Sequence, residues 1–128
     1  NQGKYDVVSN TYDSDYPQGI DAQIFLFKDL KEISQNIFDL AIREHVSLYF
    51  YENPKKYNTF HMKAPKKLSR SNLRLQLDYK EDLMLIKEIY KFLENNNAYF
   101  DLKDIIDLMD AKPYLKKINQ SCNEKKLR

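Results

Sequence analysis

Apolar and polar positions change period several times along this chain, and each change marks an element. Tyr5-Asp6-Val7-Val8-Ser9 is short and rich in β-branched and aromatic residues, which predicts a strand. A polar stretch follows from Asn10, with Pro17-Gln18-Gly19 as a turn signal. Ala22 to Phe27 is almost continuously apolar, the pattern of a strand covered on both faces. Leu30, Ile33 and Ile37 then recur at helical spacing across Lys28 to Ile37. A second helix is predicted from Leu40 to Asn53, closed by Pro54 because the residue before a proline disfavours helix.

Tyr57 to Lys63 suits a strand at an edge or in a mixed sheet. Leu73-Arg74-Leu75-Gln76-Leu77-Asp78 alternates strictly, so the three leucines face one way and Arg74, Gln76 and Asp78 the other. A long helix from Lys80 to Glu94 carries the stripe Leu83, Ile86, Tyr90 and Leu93, with Glu81 and Asp82 where negative charge meets the positive helix end. Asn95-Asn96-Asn97 ends it. Asp101 caps a further helix, Leu102 to Met109, with Asp104 completing a capping box, and Pro113 opens a last turn through Ile118. The layout predicts an α/β layered domain over residues 1–118, a mixed sheet with flanking helices, and a polar, fraying tail at 119–128. It suits one side of such a domain better than a complete closed fold.

Composition narrows the classes. With 21 basic and 19 acidic residues among 128, the net charge of +2 gives no strong field toward nucleic acid or acidic lipid. The basic loop of Lys63, Lys66, Lys67 and Arg70 reads as solvated surface. No apolar run approaches the roughly 20 residues of a membrane span. A single cysteine, Cys122, excludes an internal disulfide and points to the cytoplasm. His61 has no metal-ligand spacing to His45 or Cys122, which argues against zinc. Only Gly3 and Gly19 are glycines, too few for the amide cradle that holds nucleotide phosphates. A chain starting at Asn1 and running at once into a strand suggests a piece of a longer protein, with a processed N-terminus as the alternative.

Four segments, taken in order, match one family. They are Asn10 to Phe27, with Tyr16-Pro17-Gln18-Gly19-Ile20-Asp21-Ala22-Gln23-Ile24-Phe25; Arg43-Glu44-His45-Val46 followed by Tyr51-Glu52-Asn53-Pro54; Leu73 through Asp78 with Tyr79-Lys80-Glu81-Asp82-Leu83; and Pro113 to Asn119. The chain resembles the C-terminal half of the spore coat polysaccharide biosynthesis protein F group, which is similar to bacterial cytidylyltransferases that make CMP-activated acidic sugars. The resemblance implies a nucleotide-diphospho-sugar-transferase-like fold. It also implies activation of CTP with Mg²⁺, attack by a sugar hydroxyl or carboxylate on the α-phosphorus, release of pyrophosphate, and a homodimer. The nucleotide loop and a first metal Asp belong to the other half, so this part is expected to be inactive alone. The alternative is a non-catalytic interaction or dimerisation module derived from that fold.

Candidate residues fall into three groups. Asp78 ends the alternating segment, where the bare pattern favours a helix N-cap; the resemblance makes it a Mg²⁺ ligand. Arg43, Glu44 and His45 offer a bidentate donor for a carboxylate and a possible hydroxyl partner, or else form a solvated helix surface with a packed histidine. Gly19, Asp21 and Gln23 form a turn and the start of a strand at which the resemblance implies substrate contact. Family members usually carry Glu where this chain has Gln23, which keeps the hydrogen bonding and loses the charge. Arg74 shares a face with Asp78 and can neutralise substrate charge or pair with a carboxylate.

Overall fold

The computed structural model describes residues 4–11, 13–94 and 99–123. The asparagine run at 95–97 and the last residues of the predicted tail, 124–128, lie outside the described residues. The chain divides into two units. Among the described residues, one takes the chain through Ser14 and then Asp21–Met62; the other takes Asp15–Ile20 and residues 63–123.

The first unit holds a three-stranded mixed sheet in the order β2-β1-β3. Its strands are β1 (Val7–Ser9), β2 (Gln23–Phe25) and β3 (Thr59–His61). β1 pairs antiparallel with β2 and parallel with β3, in a register that sets Ser9 between Gln23 and His61, and Val8 between Ile24 and Phe60. The rows of Val7 and Ser9 face the core, and those two residues are fully buried. The Val8 row faces outward, with Ile24 69% and Phe60 43% exposed. The apolar run at β2 therefore does not mark a strand covered on both faces within the described chain.

Three helices follow β2: α1 (Phe27–Asn36), α2 (Leu40–Glu44) and α3 (Leu48–Glu52). The single helix expected from Leu40 to Asn53 is instead two short ones, broken at His45 to Ser47. Ile42, Leu48 and Phe50 are all buried. Leu48 and Phe50, two residues apart, cannot share one face with Ile42 on a continuous helix of 3.6-residue period. Asp39 starts α2 by accepting from the Ile42 amide at 3.1 Å. Phe50 anchors the core: its ring stacks on Phe25 at 5.0 Å and meets Tyr57 edge-on at 4.7 Å.

The second unit is built on α4 (Lys80–Leu93) and α5 (Leu102–Ala111), with one-turn 3₁₀ helices at Lys66–Leu68 and Pro113–Lys117. Its core is Leu73, Leu85, Ile89, Ile106, Met109 and Leu115. The stripe predicted for α4 is displaced: Leu85 and Ile89 are buried, while Leu83 is 41% and Tyr90 52% exposed. The Leu73–Asp78 segment is not a strand of the sheet. It makes an isolated parallel bridge, Gln18 to Arg74, in which the Gln18 amide donates to the Leu73 carbonyl at 2.9 Å and the Leu75 amide to the Gln18 carbonyl at 2.8 Å. The leucine face is not buried throughout, since Leu73 is 2% and Leu77 56% exposed, and Arg74 on the other face is itself buried. The Asp101 cap and the turn opened by Pro113 form as the sequence predicts. No helix among the described residues is long and apolar enough to cross a membrane.

Candidate functional site

The start of α4 needs partners for its first amides, which have no acceptor inside the helix. Asp82, in the first turn, turns back and takes the amides of Asp78 and Tyr79 on Oδ2, both at 3.0 Å. The same carboxylate receives Arg74 through two nitrogens, Nε to Oδ1 and Nη2 to Oδ2, each at 2.9 Å. Asn119 closes the set, donating to Asp82 Oδ1 at 2.8 Å and to the Arg74 carbonyl at 3.2 Å. Asp82 is completely buried and Arg74 and Asn119 nearly so. Arg74 above all, then Asn119 and the two backbone amides, hold the Asp82 carboxyl well below the usual carboxylate range, against the opposing effect of burial. Asp82 in turn pushes the Arg74 guanidinium above its ordinary value, with a further contribution from Asp78.

Arg74 also reaches Asp78, Nη2 to Oδ2 at 3.1 Å, and Gln76 Oε1 at 3.4 Å, and its guanidinium lies 5.5 Å from the centre of the Tyr79 ring. The predicted common face of Arg74, Gln76 and Asp78 is therefore real, although the strand is not. One cation stands between two carboxylates, so one negative charge is left uncompensated. It belongs at Asp78, whose side chain is 25% exposed while that of Asp82 is fully enclosed. Gly19 makes the close approach beneath this segment. Its φ is +90°, and a Cβ there would lie 2.6 Å from the Gln76 Cα and amide nitrogen.

These residues bear directly on a magnesium site. Asp78 offers a hard oxygen, but Oδ2 is shared with Arg74. Among the described residues no group of three or more His, Cys, Asp or Glu side chains can hold a metal. Asp78 fits one carboxylate arm of a Mg²⁺ site completed by phosphates and water, and does not fit a metal site made by the described residues alone.

The remaining predicted residues lie in the first unit. Gln23 Nε2 donates to Thr11 Oγ1 and to Tyr51 Oη, both at 3.1 Å. Asp21 is exposed, just before β2. Arg43 closes the end of α1: its Nη1 donates to the carbonyls of Ser34 at 3.2 Å and Ile37 at 3.1 Å, and its guanidinium lies over Phe38. Glu44 is exposed, with a carboxylate oxygen 4.0 Å from His45 Nε2, and His45 is partly exposed at the end of α2. The structure thus brings Arg74 and Asp78 together, sets Gly19 beside Gln76, and assigns Arg43 a helix-terminating role.

The sequence reads Asp82 as a charge at a helix start and gives Asn119 no role beyond ending the fourth matched segment. The only local signal was an acidic residue eight positions after an arginine on the face of Asp78. The predicted tail begins with a buried residue, Asn119, so order continues past Ile118.

No family model matches the chain. A solved cytidylyltransferase from Leptospira borgpetersenii serovar Hardjo-bovis superposes on 98% of this chain and half of its own length, with a TM-score of 0.78 and 25% identity. This chain resembles part of a cytidylyltransferase. The spore coat polysaccharide biosynthesis protein SpsF of Bacillus subtilis is 32% identical over 82 residues, covering 63% of this chain and 34% of SpsF. An uncharacterized protein of Methanocaldococcus jannaschii is 34% identical over 110 residues, 86% of this chain and 44% of that protein. This cytidylyltransferase-like chain therefore spans half or less of the length of the proteins it matches.

Proposed function

We propose that this chain supplies the sugar-side part of a nucleotidyltransferase that activates an acidic sugar with CTP and Mg²⁺. The observation that carries the proposal is the match of nearly the whole chain to one half of a cytidylyltransferase. Asp78 adds local support, as a partly exposed carboxylate held in place by Arg74 at the start of α4. In the reaction a sugar oxygen bonds to the α-phosphorus as the bridge to the β-phosphate breaks, pyrophosphate leaves with the bonding electrons, and a sugar hydroxyl gives up its proton to water. Mg²⁺ when bound would offset the charge of the phosphates. Asp78 would hold one position on it. Arg74 keeps the Asp78 carboxylate oriented, and its own charge stays committed to Asp82, so it is a positioning residue. Gln23, with Asp21 beside it, would face the sugar as a neutral amide where relatives of the group carry Glu.

A homodimer and a cytoplasmic location belong to the same proposal. The outward apolar row of Ile24 and Phe60 supports association, and the single cysteine fits a reducing compartment. The test is pyrophosphate release from CTP and Mg²⁺ across a panel of acidic sugars, using this chain together with the segment that makes up the rest of the relatives' length. Release that depends on Asp78 is the expected result. A folded, nucleotide-binding protein that releases none with any sugar would overturn the proposal and leave an assembly module as the better account.

A further inference from the structure

The first unit contains a cleft of about 440 Å³ that none of the predicted site residues lines. Its walls include the rings of Tyr51, Tyr57 and His61 together with Asn58 and Thr59, and no Lys, Arg, Asp or Glu lines it. The volume falls in the range of small-molecule sites, roughly 300–1,000 Å³. The lining is selective. A phosphate or carboxylate would meet no Lys or Arg among the lining residues, the nearby Lys56 ammonium being paired with Glu32 at 3.1 Å and set against the Tyr57 ring, whereas an uncharged ring bearing hydroxyls would meet aromatic faces and polar groups that both donate and accept.

Two of the walls are fixed by the fold. His61 ends β3 and sits in one register row with Ser9 and Gln23. Tyr51 is on α3, its hydroxyl tied to Gln23 at 3.1 Å and its ring stacked on His61 with centroids 6.4 Å apart. Rings held on a strand and a helix make a more precise surface than rings on a loop. Asn58 and Thr59, at the start of β3, carry the cleft along the edge of the sheet, where β3 is the last strand.

We propose that this cleft binds the neutral, hydroxyl-bearing ring of a sugar, with Tyr51 and His61 as the residues that select it. The assignment rests on the nucleotidyl-transfer function proposed above, for which it names the part of the acceptor held here. Any carboxylate on the sugar is held elsewhere.

The experiment follows the ring resonances of Tyr51 and His61 by NMR. The chain is titrated separately with the methyl glycosides of glucose, galactose and mannose, with cytidine, and with orthophosphate. At least one glycoside should shift both residues saturably while cytidine and phosphate do not. Tyr51→Ala and His61→Ala should each weaken that binding roughly 2–10-fold, the span expected for one aromatic contact. Tyr51→Phe, which keeps the ring, should retain it. The proposal is overturned if no glycoside saturates, if cytidine or phosphate takes the cleft instead, or if His61→Ala and Tyr51→Ala bind like the parent. Failure here with pyrophosphate release intact would remove the cleft from the mechanism and leave the transfer reaction standing.

Discussion

Arg74 grips Asp82 through two different nitrogens, each 2.9 Å from a separate carboxylate oxygen, in a place from which solvent is excluded. A buried pair of this kind gains little over a well-packed apolar pair, but removing one member leaves the other charged and enclosed. Asp82→Ala is expected to destabilise the second unit by about 3–5 kcal/mol. Replacing both residues with apolar ones of similar volume should cost less than the single change. Urea denaturation of the two variants checks this, and an additive result would mean that the pair is not coupled.

The same pair predicts an acid limb. The Asp82 carboxyl is held below its ordinary value of 3.8, so the unfolded chain takes up a proton before the folded one does. Its contribution is fully present above the unfolded value and is lost as pH falls through the lower folded value. The denaturation midpoint should be insensitive to this group from neutral pH down to about 5 and should decline below about 4. Asp82→Asn should lower the plateau and flatten that decline. An unchanged limb in the variant would assign acid lability to other carboxylates, Asp110 beside Arg70 first among them.

Asp78 should behave in the opposite way. Its carboxylate is partly exposed, and Arg74 keeps Asp82 when Asp78 is neutralised. Asp78→Asn is expected to change stability by less than about 1 kcal/mol. On the transfer function proposed above, the same change in this chain joined to the rest of the relatives' length should reduce Mg²⁺-dependent pyrophosphate release by about a hundredfold or more. Melting curves and turnover measured on one preparation separate the two effects.

Gly19→Ala tests the close approach under Gln76. The substitution combines a left-handed backbone with a Cβ 2.6 Å from another backbone, so a loss of at least about 1–3 kcal/mol is expected. Thermal melts read it directly. A neutral outcome would mean that the Pro17–Gly19 turn shifts freely.

Gln23→Glu asks what the missing charge does. Thr11 and Tyr51 carry hydroxyls that can rotate from accepting to donating, so a carboxylate can replace the amide in the same place. Stability should stay within about 1 kcal/mol. On the proposed transfer function, a change in sugar preference would then come from charge and not from refolding.

What was legible in the sequence was what neighbouring residues decide. The Asp101 and Asp104 capping pair, the Pro113 turn, the three short strands and the start of α4 each rest on residues within four or five positions of one another. What could not be read depends on distant partners. Asp82 looks like any helix-start acid until Asn119, 37 residues later, and Arg74 enclose it. The alternation of Leu73 to Asp78 predicts a full strand, yet Gln18 supplies only one bridge and Leu77 stays exposed. The break between α2 and α3 is imposed by which residues must reach Phe25 and Tyr57, and helical periodicity alone cannot show it. Asp78 was found through family likeness together with its place at the end of an alternating run. Tyr51 and His61 come together only when β3 and α3 pack.

The path of the chain has a bearing on biosynthesis. Residues 15–20 are made early, in the middle of the segment that builds the sheet, yet their backbone partners at Leu73 and Leu75 are synthesised more than fifty positions later. During translation the sheet-forming segments can emerge and pair while this hairpin-like excursion waits, its amides bonded to water, for its docking strip to leave the ribosome. For the same reason a single proteolytic nick cannot release either unit whole, and expressing residues from Lys63 onward by themselves would leave the Leu73–Leu75 strip without its match.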